Sequence, residues 1–320
     1  MIAVVGGAGL AVKVRMIPQE ESFEQHTMGD VFDYNSINVA AKTAQGDDVE
    51  IVSSGSALNI AIHLAEMGKD VALATVAGND AVGLAIAEQL KAAGVDTAYV
   101  RKVDGSSAAT VQIMNILNDP QMVFGNSKLF DKMTPEMAEG WAPLLDEAEA
   151  IVLDGGLPEE TLKYIVDKYS GKEGVKIFFD PAGYEGAVKA REFAGKFYCV
   201  MPGRVEAEAM LKQTVLSADQ LMEAGSVLEN KGVTKTVITI KGGGLYYKDG
   251  INEGLIAPER VLSFASTSGA GDMVSAAVVA ADLEGKSMEE IGAFAMQKAA
   301  EFLAEANDER LIDTLNEKGQ

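Results

Sequence analysis

The segment Ser266-Thr267-Ser268-Gly269-Ala270-Gly271-Asp272 runs directly into MVSAAVVAADLEG at 273–285. The trailing run is small and apolar, which suits a helix buried on all sides. A glycine-rich turn opening such a helix presents several backbone N–H groups at its N-terminus. Those donors and the helix dipole favour an anion. The small residues let the backbone approach phosphate oxygens closely. Asp272 falls in the first turn and points at the same pocket. A carboxylate beside an anion hole repels phosphate unless it has work to do, and accepting a proton from an attacking hydroxyl is such work. The plainer alternative is an aspartate that only complements the dipole.

Outward from this segment, short β-branched runs alternate with amphipathic stretches. Strands are expected at Ile2–Val5, Val71–Val76, Ala150–Leu153, Lys176–Phe179, Phe197–Met201 and Thr236–Ile240. Helices are expected to begin near Ala57, Asp80, Pro135, Glu159, Val205, Ala218, Gly269 and Ser287. Ser287-Met288-Glu289-Glu290 has the form of a capping box. This alternation predicts an α/β fold with a mainly parallel central sheet and helices on both faces. Lys13–Ile51 and Tyr99–Phe124 break the alternation. They are expected to form a small β-sheet lid over the carboxyl ends of the parallel strands, where ligands bind in open α/β sheets. Residues 1–12, 52–98 and 125–320 then make the main domain, and 13–51 with 99–124 the lid. A one-sided sheet needs a cover, so a homodimer through the lid is expected.

The bulk composition narrows the function. Of 320 residues, 48% are hydrophobic and 23% charged, ordinary for a globular chain. A net charge of -21 speaks against nucleic acid polymers and anionic membranes as partners, though not against a local cationic pocket. Cys199 is the single cysteine, so no intrachain disulfide can form, and it reads as a core thiol. With His26 and His63 the only histidines, a Cys/His zinc site and a serine-protease-type triad are poorly supplied. No run is apolar enough to span a membrane, and the opening MIAVVGGAGLAV lacks the basic start of a secretion signal. A reducing cytoplasm is the expected location.

The GAGD turn and its helix resemble the second signature of the PfkB/ribokinase family of carbohydrate and nucleoside kinases. Four further motifs, in the family's order, strengthen the resemblance. Ser54-Gly55-Ser56-Ala57-Leu58-Asn59-Ile60-Ala61 with Gly68 is similar to the first signature. Val76-Ala77-Gly78-Asn79-Asp80 with Gly83 is similar to V-G-x-D-x-x-G. Met201-Pro202-Gly203-Arg204-Val205-Glu206-Ala207 is similar to K-P-N-x-x-E-A. Thr239-Ile240-Lys241-Gly242-Gly243-Gly244 is similar to the nucleotide loop. Within the family, pseudouridine kinases look most similar, through IAVVGGAGLAVKV, Phe179-Asp180-Pro181 and Gly242–Tyr247. The resemblance implies a ribokinase-like fold and an ATP-dependent kinase acting on a hydroxyl of a sugar or nucleoside.

It also implies roles. Asp272 becomes the general base, and the N–H groups of Gly269, Ala270 and Gly271 the anion hole. Gly7, Gly55 and Asn59 lie on the acceptor side. Thr239, Lys241, Gly242, Gly244 and Asp180 lie toward the ATP, with Lys241 equally readable as a solvated loop lysine. Glu206 holds Mg²⁺ through water. Several positions depart from the family pattern. Ala11 stands where a hydroxyl-binding aspartate is usual, Gly9 where an asparagine is, Gly203 for another asparagine, and Ser266 for the aspartate opening the last motif. Ala11 and Gly9 imply a wider, more apolar acceptor pocket, favouring a nucleoside over a simple sugar. A Rossmann fingerprint fails, because the sixth position from Gly7 is Val12 and no helix follows; a P-loop fails at Ala280. The competing reading is a non-catalytic relative that binds a nucleoside or sugar.

Overall fold

The computed structural model describes residues 1–15, 48–114, 120–240, 242, 244–258 and 269–317. Ser266–Ser268, Lys241, Asn118-Asp119 and residues 16–47 of the expected lid lie outside the described residues. The chain opens with β1 (Ile2–Val5), β2 (Gly9–Arg15) and β3 (Asp48–Ser54), then α1 (Ser56–Glu66), β4 (Val71–Gly78) and α2 (Ala81–Ala92). Next come β5 (Val100–Val103), β6 (Ala108–Met114), β7 (Pro120–Asn126), α3 (Pro135–Glu139) and α4 (Ala142–Glu147). They are followed by β8 (Ala150–Asp154), α5 (Glu159–Tyr169), β9 (Lys176–Asp180), α6 (Tyr184–Lys189) and β10 (Cys199–Val200). The chain continues through α7 (Arg204–Leu211), α8 (Ala218–Lys231), β11 (Lys235–Ile240), β12 (Gly244–Asp249) and β13 (Asn252–Ile256). Two helices, α9 (Ala270–Leu283) and α10 (Met288–Glu317), close it.

The main sheet has the order β13-β12-β11-β10-β9-β8-β1-β4-β5. From β5 to β11 every pairing is parallel, and β12 and β13 add an antiparallel edge. Strands buried on both faces read as continuous apolar runs, and β1 shows why. Ile2 and Val4 enter the core under α1, α9 and α10, while Ala3 and Val5 enter the core on the opposite face with α5. The same alternation holds at Val71 and Leu73 against Ala72 and Ala74, and at Val152 against Ile151 and Leu153. Helix α9 is buried continuously from Met273 to Asp282, as its small apolar sequence requires. The capping box opening α10 is present, with Glu290 N–H donating to Ser287 Oγ and Ser287 N–H to Glu290 Oε2. Among the described residues no helix is long and apolar enough to cross a membrane.

A second sheet, order β3-β2-β6-β7, stands apart from the first. Its bounds differ from the sequence expectation. Residues 9–12, 52–54 and 125–126 were expected in the main domain but belong to this sheet, and Val100–Val103 pairs with β4 in the main sheet instead. The reason is the register. The chain leaves β1 at Gly6-Gly7-Ala8, and Gly9 then pairs directly with Ser54 and Ala108. Pairing also sets the faces. Val12 stands opposite Ile51 and Val111, Val14 opposite Val49 and Ile113, Val111 opposite Phe124, and Ile113 opposite Met122. One face is therefore apolar apart from Ser53 and Asn126 at one end, and Val49, Ile51, Val111, Met122 and Phe124 on it are exposed.

Candidate active site

The site lies at the carboxyl ends of five adjacent parallel strands. Gly6-Gly7 follow β1, Asp154 ends β8, Asp180 ends β9, Pro202-Gly203 follow β10, and Thr239 is near the end of β11. Gly269, in a left-handed conformation (φ 86°), turns the chain into α9. The first N–H groups of α9, from Ala270 to Asp272, have no carbonyl partner within the helix, as at any helix start. A Cβ at Gly271 would meet nothing within 4 Å among the described residues, which leaves room for a ligand on that side of the turn.

Asp272 is the focus. Its Oδ1 accepts from Ser56 Oγ at 2.5 Å and its Oδ2 from Asn59 Nδ2 at 2.6 Å. Both donors sit in the first turns of α1, whose start is set by Gly55 (φ 96°) packed against Gly7. A Cβ at Gly55 would lie 2.5 Å from the Gly7 carbonyl oxygen, so only glycine fits. Asn59 Oδ1 has no protein partner and is available to a ligand donor. Asp272 keeps some exposed surface, but its carboxyl is enclosed. That burial raises its pKa, the two hydrogen bonds pull the other way, and the His63 ring weakly assists them.

Other carboxylates gather round it. Asp180 Oδ2 accepts from Ser275 Oγ at 2.6 Å, and Oδ1 from Ala182 N–H at 2.8 Å. Glu206 accepts from Gly203 and Gly183 N–H, each at 2.6 Å. Burial first, and the charge of Asp272 second, hold Asp180 well above the ordinary carboxylate range. Glu206 is also raised, by burial first, with Asp272 adding to it. Asp282, at the far end of α9, makes the contrast plain. It is buried too, yet Lys176 and Lys235 each donate to it at 2.7 Å, and its pKa is lowered. Nothing cationic donates to Asp154, Asp180, Glu206 or Asp272 among the described residues. An uncompensated acidic cluster of this kind suits a divalent cation. No three carboxylates stand at metal-ligand spacing among the described residues, so an ion here would be held mainly by phosphate and water.

The sequence-expected residues fall into place unevenly. Asp272, Asn59, Gly55, Asp180 and Glu206 converge. Thr239 joins them through Gly203, with which it forms a bridge. Gly242 (φ 72°) is exposed at the turn between β11 and β12. Gly244 has a different reason to be glycine: a Cβ there would lie 1.9 Å from the Ile256 carbonyl oxygen, so it serves the β12–β13 pairing. Gly7 faces the Phe130 ring, 2.7 Å from a would-be Cβ, so Phe130 fills the space expected for ligand. Gly9 lines a pocket against the small sheet, yet it is glycine for the strand pairing, because a Cβ would lie 2.7 Å from the Ala108 carbonyl oxygen. Ala11 is buried between Val52 and Thr110.

Sequence reasoning missed Ser56, Ser275 and Asp154, although Ser56 lies inside a quoted motif and Asp154 directly follows the strand expected at Ala150–Leu153. It also missed the role of Asp80. That carboxylate caps α2 through Gly83 N–H and binds Ser107 N–H and Oγ, tying the start of β6 to the end of β4. Against the small sheet lies a pocket of about 220 Å³, bounded by Leu10, Ser54, Thr110, Asn126, Ser127 and Phe130 among others.

A mainly parallel sheet with a small second sheet, an open helix start and an enclosed carboxylate beside it make the frame of an α/β enzyme with its site at the strand ends. The chain belongs to the pfkB family of carbohydrate kinases, whose family model matches residues 26–313. It is thus an ATP-dependent phosphotransferase with an alcohol group as acceptor. It is 28% identical to the ribokinase of Bacillus subtilis over 82% of this chain and 84% of that one. It is 24% identical to the pseudouridine kinase of Escherichia coli over 82% and 83%. The structure of Arabidopsis thaliana ribokinase complexed with ribose and ATP superposes with a TM-score of 0.73 at 21% identity, covering 93% of this chain and 90% of that one.

Proposed function

We propose that this kinase transfers the γ-phosphoryl group of ATP to a hydroxyl of a sugar or nucleoside, with a pseudouridine-like acceptor favoured. Asp272 takes the proton of the acceptor hydroxyl as its oxygen attacks the γ-phosphorus. The bond from that phosphorus to the β,γ-bridging oxygen breaks, and ADP leaves. The N–H groups of Gly269, Ala270 and Gly271 offset the charge on the moving phosphoryl group. Mg²⁺ would neutralise the phosphates beside Asp180 and Glu206, with Glu206 reaching it through water. Thr239, Gly242 and Gly244 are assigned to the nucleotide side, as is Lys241 from its motif position alone, and dependence on ATP favours a cytoplasmic location. The observation that carries this reading is Asp272 itself, anchored by Ser56 and Asn59 at an open helix start.

The acceptor preference rests on the pocket against the small sheet and on similarity to a pseudouridine kinase. A flat heteroaromatic ring fits beside Phe130, with Ser54, Thr110, Asn126 and Ser127 offering polar contacts. The apolar face of the small sheet meets the same face of a second copy, giving a two-fold dimer. Two chains of charge -21 repel each other, and this face carries no charged side chain.

The test is ADP release over a panel of pseudouridine, other nucleosides, ribose and fructose, run with the parent and Asp272→Asn. The variant is expected to fold and bind ATP but to lose at least about a hundredfold in kcat on the best acceptor. Turnover equal to the parent refutes the base assignment. Ligand binding with no ADP release from any acceptor would support the non-catalytic reading.

A further inference from the structure

Asp154 is a buried carboxylate, 2% exposed, that phosphoryl transfer does not obviously need. It takes no side-chain donor among the described residues. Its Oδ2 accepts from Gly7 N–H and from Ala57 N–H, both at 2.9 Å, and its Oδ1 from Gly156 N–H at 2.7 Å. Those donors belong to three separate pieces of backbone: the exit of β1, the first turn of α1, and the turn after β8. The chain leaves room for this carboxyl on two sides. A Cβ at Gly6 would lie 2.3 Å from its Cγ, and one at Gly156 would lie 2.8 Å from its Oδ1.

Ala57 sits directly after Ser56 and two residues before Asn59, the two side chains that hold Asp272. Whatever fixes the Ala57 N–H fixes both donors, because they share one rigid turn. We propose that Asp154 is a positioning residue for phosphoryl transfer, its carboxylate locking the start of α1 so that Ser56 and Asn59 present Asp272 to the acceptor hydroxyl. This rests on Asp272 being the base. Keeping such a group ionised is costly. Burial pushes Asp154 up to about 6, the three N–H bonds oppose that, and the charge of Asp272 adds to it. The titratable groups facing it are Asp272 from α9 and, across the β8–β9 register, Asp180, which is turned to Ser275. An asparagine amide cannot replace the carboxylate, since its NH₂ would face a backbone N–H.

The experiment measures kcat, KM and their pH dependence for Asp154→Asn, Ser56→Ala, the double variant and Asp272→Asn. Asp154→Asn is expected to lower kcat by about tenfold or more with the KM for ATP near that of the parent, the scale for a displaced reacting group. Its acidic limb in kcat should move to higher pH, because the Ser56 and Asn59 hydrogen bonds that hold the Asp272 pKa down are loosened; a purely structural role would not move it. In the Ser56→Ala background the loss from Asp154→Asn should shrink, since both act through α1. Additive losses, or a parent-like kcat and acidic limb, overturn the proposal. If Asp154→Asn does not fold, Gly156→Ala serves instead, because its Cβ displaces Oδ1 without removing the charge. An unchanged kcat in Gly156→Ala also overturns it. If Asp272→Asn keeps parent turnover, the base assignment itself has failed, an outcome separate from the others.

Discussion

Phe124→Asp is expected to convert a dimer into a monomer, and the size of the effect can be worked out from the small sheet. Phe124 is 56% exposed in the isolated chain and lies on the edge strand β7 of the apolar face, opposite Val111. A phenylalanine carries roughly 200 Å² of side-chain surface, so somewhat over half of that, roughly 110 Å², is in water. At about 25 cal/mol per Å², covering it contributes about 3 kcal/mol. A two-fold axis counts each residue twice, giving about 5 to 6 kcal/mol for the pair. That corresponds to roughly four decades in the dimer dissociation constant. Aspartate also sets two like charges across the axis, which adds to the loss. Sedimentation velocity over a wide concentration range, at low and moderate salt, reads this directly. The parent should sediment as a dimer and Phe124→Asp as a folded monomer with an unchanged circular dichroism spectrum, its melting temperature no longer rising with protein concentration. A parent that stays monomeric at the highest concentrations, or a variant that stays dimeric, refutes the assignment of this face.

Two further outcomes concern the fold and the charge cluster. Asp154 has a folded pKa of about 6, against 3.8 for the ordinary group. The folded state therefore binds its proton more tightly, and this contribution to stability is fully present below pH 3.8 and lost as pH rises through about 6. The difference is about 3 kcal/mol, so the unfolding free energy of the parent, relative to Asp154→Asn, should fall by that order across this window. Parallel pH profiles in urea melts would show the pKa direction to be wrong. Gly9→Ala should split β2 from β6, where its Cβ lies 2.7 Å from the Ala108 carbonyl oxygen. A lower melting temperature together with weaker acceptor binding is expected; a parent-like variant would mean that β2 can shift without cost.

The strand and helix pattern was open to reading in the sequence because it is local. Ile2–Val5 and Ala150–Asp154 are buried on both faces, so each run is apolar throughout, and Ala270–Leu283 is built of small residues because it is surrounded. Gly269, Asp272 and Asn59 were legible for a related reason: a helix start and a first-turn carboxylate are local chemistry. The bounds of the small sheet were not. Where the chain leaves one sheet for the other depends on which strand Gly9 meets, and that strand comes from residues near Ala108. The wall residues were misread on the same account, since a glycine looks identical in sequence whether its missing Cβ makes room for a ligand or for a neighbouring backbone. Asp154 finds its partners 147 and 97 residues earlier in the chain, and Asp272 its anchors 216 and 213 earlier. A hydrogen bond is set by direction and by a reach of about 3 Å, and only the folded chain fixes either.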